Sequence, residues 1–92
     1  MSNKKLESNN FESMNEFKDT LLYGKEIVFE WQGAEYGVFY DDSEGKENFS
    51  LCAKNENTEY NFSEFNDLIF CSIQGHQLND IVTEVDVILR NV

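Results

Sequence analysis

The chain has 92 residues with eighteen acidic and seven basic side chains, so its formal net charge at neutral pH is −11. Neutralising phosphate groups takes lysine and arginine, and Arg90 is the one arginine in this sequence. The composition therefore argues against direct binding of nucleic acid and, for the same reason, of anionic membranes. The acidic excess is concentrated in residues 26–67, where eleven carboxylates accompany two cations, Lys46 and Lys54.

Length and aromatic content predict one folded domain. The chain is too short for a second core, and its eight Phe, four Tyr and one Trp supply large apolar groups for the first. We expect a disordered arm over residues 1–10 and a single α+β domain over residues 11–92. The polar N-terminus and the lack of an apolar run of about 20 residues predict a cytoplasmic location. Cys52 and Cys71 are then expected to be free, buried thiols.

The first predicted element is an amphipathic helix from Phe11 to Tyr23. Its apolar residues recur at steps of three and four, which is typical of a helix with one stripe facing a core. We expect Gly24 to end this helix and Asn9 or Asn10 to cap its start.

Two alternating segments, Glu26 to Gln32 and Ala34 to Tyr40, predict a β-hairpin. If Gln32 and Gly33 form a two-residue turn, residue i pairs with residue 65 minus i. One face of the hairpin then faces the core and consists of the pairs Ile27–Val38, Phe29–Tyr36 and Trp31–Ala34.

The opposite face of the hairpin combines carboxylates with an aromatic ring. Its pairs in the same register are Glu26–Phe39, Val28–Gly37 and Glu30–Glu35. Two carboxylates directly across from one another destabilise a sheet by up to about 1 kcal/mol. The fold itself does not require this pair. Either this face is open and binds a partner, or helices cover it and the charge serves only solubility.

The next segments predict an antiparallel meander of three to four strands. Residues 41–47 read as an acidic loop, and Asn48 to Lys54 alternates as a third strand. Residues 55–57 form a turn into a short fourth strand from Thr58 to Phe62. The residues expected to point inward from the third strand are Phe49, Leu51 and Ala53.

One or two further helices are predicted toward the C-terminus. Ser63 or Asn61 caps a helix over residues 64–71 that buries Phe65, Leu68 and Ile69. Residues 74–76 form a turn, and a helix of about two turns follows over residues 77–83. Residues 85–92 fit helical spacing but are rich in β-branched side chains, so the tail is either a continued helix or an edge strand.

The sequence predicts no metal, cofactor or catalytic site. In the loop over residues 41–47, placing Gly45 at the glycine of a calcium-binding loop leaves Leu51 where a bidentate glutamate is needed. His76 is the single histidine, and activation of Cys52 or Cys71 would need positive surroundings that this chain lacks. Glu30 and Glu35 have no visible pocket in which to act as an acid and base pair. We therefore expect a protein that is not an enzyme.

The segments from Gly24 to Tyr40, from Phe65 to Ile69 and from Gln74 to Ile81 resemble small acidic proteins of low-GC Gram-positive bacteria and their mobile elements. This resemblance implies a helix, meander, helix arrangement in the cytoplasm of a bacterial host cell. In size and charge the chain is also similar to phage anti-CRISPR proteins and other DNA mimics, whose carboxylates take the place of phosphates.

The leading hypothesis is an acidic inhibitor that binds a basic groove of a nucleic-acid-handling protein, such as a nuclease, as a phosphate mimic. Charges would steer and orient the partner, and an aromatic side chain would supply contact area. The residues predicted to bind the partner are Glu26, Glu30, Glu35, Phe39, Asp41, Asp42, Glu44 and Glu47. The alternatives are a toxin-neutralising immunity protein and a small interaction domain whose charge is incidental.

Overall fold

A computed structural model describes residues 10–54 and 56–90, and it is an α+β fold, as the sequence predicts. Three helices and seven strands follow one another along this part of the chain. They are α1 (Met14–Gly24), β1 (Glu26–Trp31), β2 (Ala34–Asp41), β3 (Asn48–Ala53), β4 (Thr58–Phe62), α2 (Phe65–Ile69), β5 (Ser72–Ile73), β6 (His76–Gln77), α3 (Leu78–Ile81) and β7 (Asp86–Arg90).

Five strands form one antiparallel sheet in the order β4-β3-β2-β1-β7, and β5 pairs with β6 in a separate small hairpin. The predicted register of the first hairpin is confirmed, including the opposition of Glu30 and Glu35. Gln32 and Gly33 form its turn with φ angles of 51° and 82°. Positive φ at both turn residues matches the right-handed twist of the two strands. Gln74 and Gly75 repeat this conformation between β5 and β6.

Helix α1 begins later than the sequence predicts. Ser13, not Asn9 or Asn10, is the N-cap, and its hydroxyl accepts a hydrogen bond from the Glu16 amide at 3.1 Å. Asn10, expected in a disordered arm, instead accepts a hydrogen bond from the Val87 amide of β7 through its side-chain oxygen. The remainder of that predicted arm lies outside the described residues. The helix ends through Lys25 in the left-handed conformation, one residue beyond Gly24.

The two later helices are shorter than predicted. Helix α2 spans five residues, and its N-cap is Glu64 without a side-chain hydrogen bond, so neither Ser63 nor Asn61 caps it. Helix α3 spans four residues and ends before Val82. Of the tail left open between helix and strand, residues 86–90 form an edge strand, β7, which pairs with β1, and residues 91 and 92 lie outside the described part of the chain. Pairing with a neighbouring strand favours the extended form of its β-branched residues.

All three helices pack against the same side of the five-stranded sheet, which we call the inner face. Phe17 and Leu21 of α1, Leu68 of α2 and Leu78 of α3 are fully buried there. They meet inward residues of the strands, of which Phe29, Ile27, Val38, Phe49 and Leu51 are the most buried. Burial of such side chains is the main stabilising contribution to a domain of this size. Of the described strand residues that point to the opposite, outer face, none belongs to this core.

Arg90 connects the last strand to the first helix. Its guanidinium donates to the Glu16 carboxylate at 2.8 Å and to the Thr20 hydroxyl at 3.3 Å, and it lies 4.5 Å from the centre of the Phe11 ring. The Arg90 side chain is only 13 % exposed. A charge-assisted hydrogen bond and a cation–π contact therefore act together where the two ends of the described chain meet. Among the described residues, no helix is both long and apolar enough to cross a membrane.

We predict that the Glu16–Arg90 contact stabilises the fold at neutral pH and is lost in acid. Hydrogen bonds from the Glu12 amide and from Arg90 hold the pKa of Glu16 below its usual range. Since the folded state therefore binds this proton less readily than the unfolded chain, the contribution is present above the usual glutamate pKa and falls below it. E16Q should lower the free energy of unfolding by about 1 kcal/mol at pH 7.

Urea denaturation of wild type and E16Q at pH 7 and pH 3 measures this effect, with E84Q as the control for loss of an exposed carboxylate. The difference between wild type and E16Q should narrow at pH 3. A difference that is the same at both pH values would contradict the assigned role of Glu16.

Candidate interaction surface

The outer face of the five-stranded sheet is strongly acidic. Strand register places six carboxylates on it among the described residues, and they come from four of the five strands. They are Glu26, Glu30, Glu35, Asp41, Glu59 and Asp86. Lys54, directly after β3, contributes an ammonium group that lies 3.1 Å from the Glu35 carboxylate. Both of these side chains are about half exposed, so their ion pair is screened by water and contributes little.

Three of these carboxylates form a row across neighbouring strands, which we call the carboxylate row. Glu30 of β1 is directly opposite Glu35 of β2 on one side and Asp86 of β7 on the other. Residues that oppose one another in antiparallel strands have Cβ atoms roughly 4.5–5.5 Å apart. Glu30 and Asp86 are exposed and Glu35 is half-buried. The backbone hydrogen bonds of the sheet thus hold three like charges side by side.

Apolar groups lie beside the carboxylate row on the same face. Val28 is 6 % exposed although it points away from the core. The Phe39 ring lies over Gly37, where an added Cβ atom would come within 3.0 Å of the ring. Leu89 of β7 is opposite Val28 and is 40 % exposed. Glycine at position 37 therefore lets the aromatic ring pack closely against the backbone of the sheet.

The structure brings together some of the residues that the sequence predicts for the partner-binding site. Glu26, Glu30, Glu35 and Phe39 share the outer face, as the predicted register requires. Asp41 lies at the end of the same face, where its carboxylate accepts hydrogen bonds from the Ser43 amide and hydroxyl.

The other predicted loop residues are not part of the outer face. Asp42 pairs with Lys25 at 2.9 Å, and this contact lowers the pKa of Asp42. Glu47 accepts a hydrogen bond from the Tyr40 hydroxyl at 3.0 Å. Burial and then this hydrogen bond raise the pKa of Tyr40 to about 12. Since the Tyr40 ring packs in the core, Asp42 and Glu47 lie at the end of the inner layer, and Glu44 is exposed in the loop between them.

Two acidic residues of the outer face were missed by reasoning from the sequence. Asp86 can be assigned to the outer face only when the tail is known to be a strand paired with β1. Glu59 follows from the alternation of β4, because it points to the opposite side from Thr58, Tyr60 and Phe62 and is paired with Cys52 of β3. Alternation could therefore have identified Glu59, whereas no local signal identified Asp86.

The cysteines and the histidine are not gathered into one site. Cys52 points to the outer face and Cys71 packs against the core, so the sheet separates them. Burial raises the pKa of both thiols, that of Cys71 to about 11, and nearby Glu59 adds to the effect on Cys52. His76 is exposed, and its ring is perpendicular to the Trp31 ring system, with ring centres 5.7 Å apart. In residues 10–54 and 56–90, no group of three side chains could hold a metal ion.

No family model, curated protein or solved structure matches the chain.

We predict that neutralising the centre of the carboxylate row makes the protein more stable. E30Q keeps the shape of the side chain and removes the charge that faces both Glu35 and Asp86. Relief of two like-charge oppositions should raise the free energy of unfolding by about 0.5–1 kcal/mol in low salt. The gain should shrink at about 1 M salt, because the Debye length falls to about 3 Å.

Chemical denaturation in urea at low and high salt measures the gain, with D19N as a control for lower net charge alone. Asp19 is exposed on α1, far from the carboxylate row in the fold. If E30Q and D19N changed the stability equally, general repulsion rather than the row would be responsible.

Proposed function

We propose that this protein is a non-enzymatic acidic inhibitor that binds a cationic groove of a nucleic-acid-handling protein and occupies it in place of phosphates. An anti-CRISPR or another anti-defence protein would act in this way, with a nuclease as the most direct target. The observation that carries the proposal is the outer face, where one sheet presents six carboxylates from four strands.

The spacing of these charges suits a groove that normally holds a phosphate backbone. Neighbouring strands are about 4.8 Å apart, and residues four apart along β1, such as Glu26 and Glu30, are separated by about 13 Å. Several carboxylates thus lie within one Debye length, about 8–10 Å, of each other. A cationic groove would experience their combined field, as it does that of nucleic acid with its closely spaced charges.

The carboxylate row also favours a role in binding over a role in the fold. Like charges held opposite each other work against folding, and Lys54 is the one basic side chain that pairs with the row among the described residues. Cations of a partner would relieve this repulsion on binding. Protein sites that oppose stability in this way are commonly functional.

The remaining alternatives share part of this logic. An immunity protein that neutralises a toxin would use the same acidic face against a cationic toxin surface. A domain whose charge is incidental would bind elsewhere, and the experiment below separates it from the other two.

We predict that E26Q/E30Q/E35Q loses partner binding while D19N/D80N/E84Q keeps it. Both variants remove three exposed or half-exposed carboxylates, the first from the outer face and the second from the side that carries the helices. Proteins of a low-GC Gram-positive lysate retained by the wild type are purified. Their binding to a labelled DNA duplex is then followed by fluorescence anisotropy as this protein is added.

The wild type and the control variant should displace the DNA. The outer-face variant should need at least about tenfold higher concentration to do so, which corresponds to a loss of about 1.4 kcal/mol in binding free energy. Affinity should fall steeply with added salt, because exposed charges are screened. Equal retention by both variants would overturn the proposal, as would a captured protein that keeps its DNA at saturating wild type. A captured toxin without nucleic-acid activity would instead identify the immunity function.

A further inference from the structure

We infer that the protein binds an apolar side chain of its cationic partner at Ile88 and Leu89, along the β7 edge of the outer face, in addition to binding the partner's charges. This inference rests on the proposed function, because it names the chemistry of the partner at the same face. The two residues, which we call the β7 anchor, are 53 % and 40 % exposed and are adjacent in the edge strand.

A β-bulge produces the β7 anchor. Phe29 is opposite Val87 and Val28 is opposite Leu89, so Ile88 is an extra residue in β7. In a bulge two residues oppose one on the neighbouring strand, and the alternation of side chains shifts beyond it. Val28 points to the outer face, and its partner Leu89 therefore does so as well.

The same bulge decides the charge of the face. With regular alternation Asp86, Ile88 and Arg90 would all point to one side. After the bulge, Asp86 is opposite Glu30 on the outer face, whereas Arg90 is opposite Ile27 and contacts Glu16 and Thr20 on the inner side. The bulge thus removes a cation from the acidic face and places Leu89 on it instead.

The residues around the β7 anchor indicate the chemistry of the partner segment that binds there. The half-buried Phe39 ring and the nearly buried Val28 lie beside the β7 anchor toward the centre of the sheet, and Glu26, Glu30 and Asp86 flank it. A second copy of this chain would bring like charges together on this face, which opposes self-association. An apolar side chain with lysine or arginine on either side of it complements both features. We therefore assign the site to a segment of that composition in the nucleic-acid-handling partner.

Apolar contacts at the centre of an interface commonly provide most of the affinity, while surrounding charges steer and orient the partner. Substitution of the β7 anchor is therefore expected to lower the affinity without changing how strongly that affinity depends on salt. Substitution of the carboxylates should change both the affinity and its salt dependence, so the two contributions can be separated.

Two synthetic peptides test the inference on the full chain, one of alternating lysine and leucine and one with serine in place of every leucine. Both carry the same charge. NMR chemical-shift changes of isotope-labelled protein locate the binding, and isothermal titration calorimetry at several salt concentrations gives the affinities. The lysine–leucine peptide should bind about tenfold more tightly and shift residues of β1 and β7.

I88S/L89S should abolish this tenfold advantage and leave binding of the lysine–serine peptide unchanged. F70S is the matched control, because Phe70 is also 53 % exposed but follows α2, and it should keep the advantage. I88S alone, at the more exposed position, should remove part of the tenfold advantage of the lysine–leucine peptide. This single variant tests the inference if the double variant unfolds. E30Q/D86N should weaken both peptides and flatten their salt dependence.

The outcomes that overturn the inference differ from those that overturn the proposed function. Equal affinity of both peptides for the wild type, or an advantage that survives I88S/L89S and I88S, would refute the β7 anchor while the acidic face kept its role. Chemical-shift changes that avoid the outer face with both peptides would refute the proposed function itself.

Discussion

The register of the first hairpin is the constraint on which the two faces of the sheet depend. Gln32 and Gly33 both adopt positive φ in a two-residue turn, and this pairs each residue i with residue 65 minus i. A slip of one residue would send Phe29 to the solvent and Glu30 into the core. Burial of the inward residues therefore enforces the opposition of Glu30 and Glu35, although that opposition is itself unfavourable.

The last strand adds the second constraint, through Arg90. A bulge in β7 turns this side chain to the inner face, where it contacts Glu16, Thr20 and the Phe11 ring. The contact joins the end of the described chain to its first helix and also leaves the outer face without an arginine. Stability and surface charge are thus linked, because the same backbone irregularity provides a partly buried ion pair and keeps the open face negative.

Elements with strong local signals could be predicted from the sequence, and weaker ones could not. Alternation and turn chemistry identified the four strands β1 to β4 and the register of β1 with β2. The predicted start of α1 was wrong because a capping signal was not recognised. This signal is a serine followed three residues later by a glutamate, here Ser13 and Glu16. Helices α2 and α3 were expected to be longer, because apolar spacing does not show where a chain must turn to cover a sheet.

The sequence by itself determined the fold class, the inward and outward residues of the first hairpin, and an acidic character that disfavours phosphate ligands. All of these follow from local periodicity and composition. Only the tertiary structure decided that residues 86–90 form an edge strand, that Asp86 completes the carboxylate row, and that Asp42 and Glu47 lie away from it. The physical reason is that strand pairing and side-chain contacts between distant segments depend on the whole packed core, which no local pattern encodes.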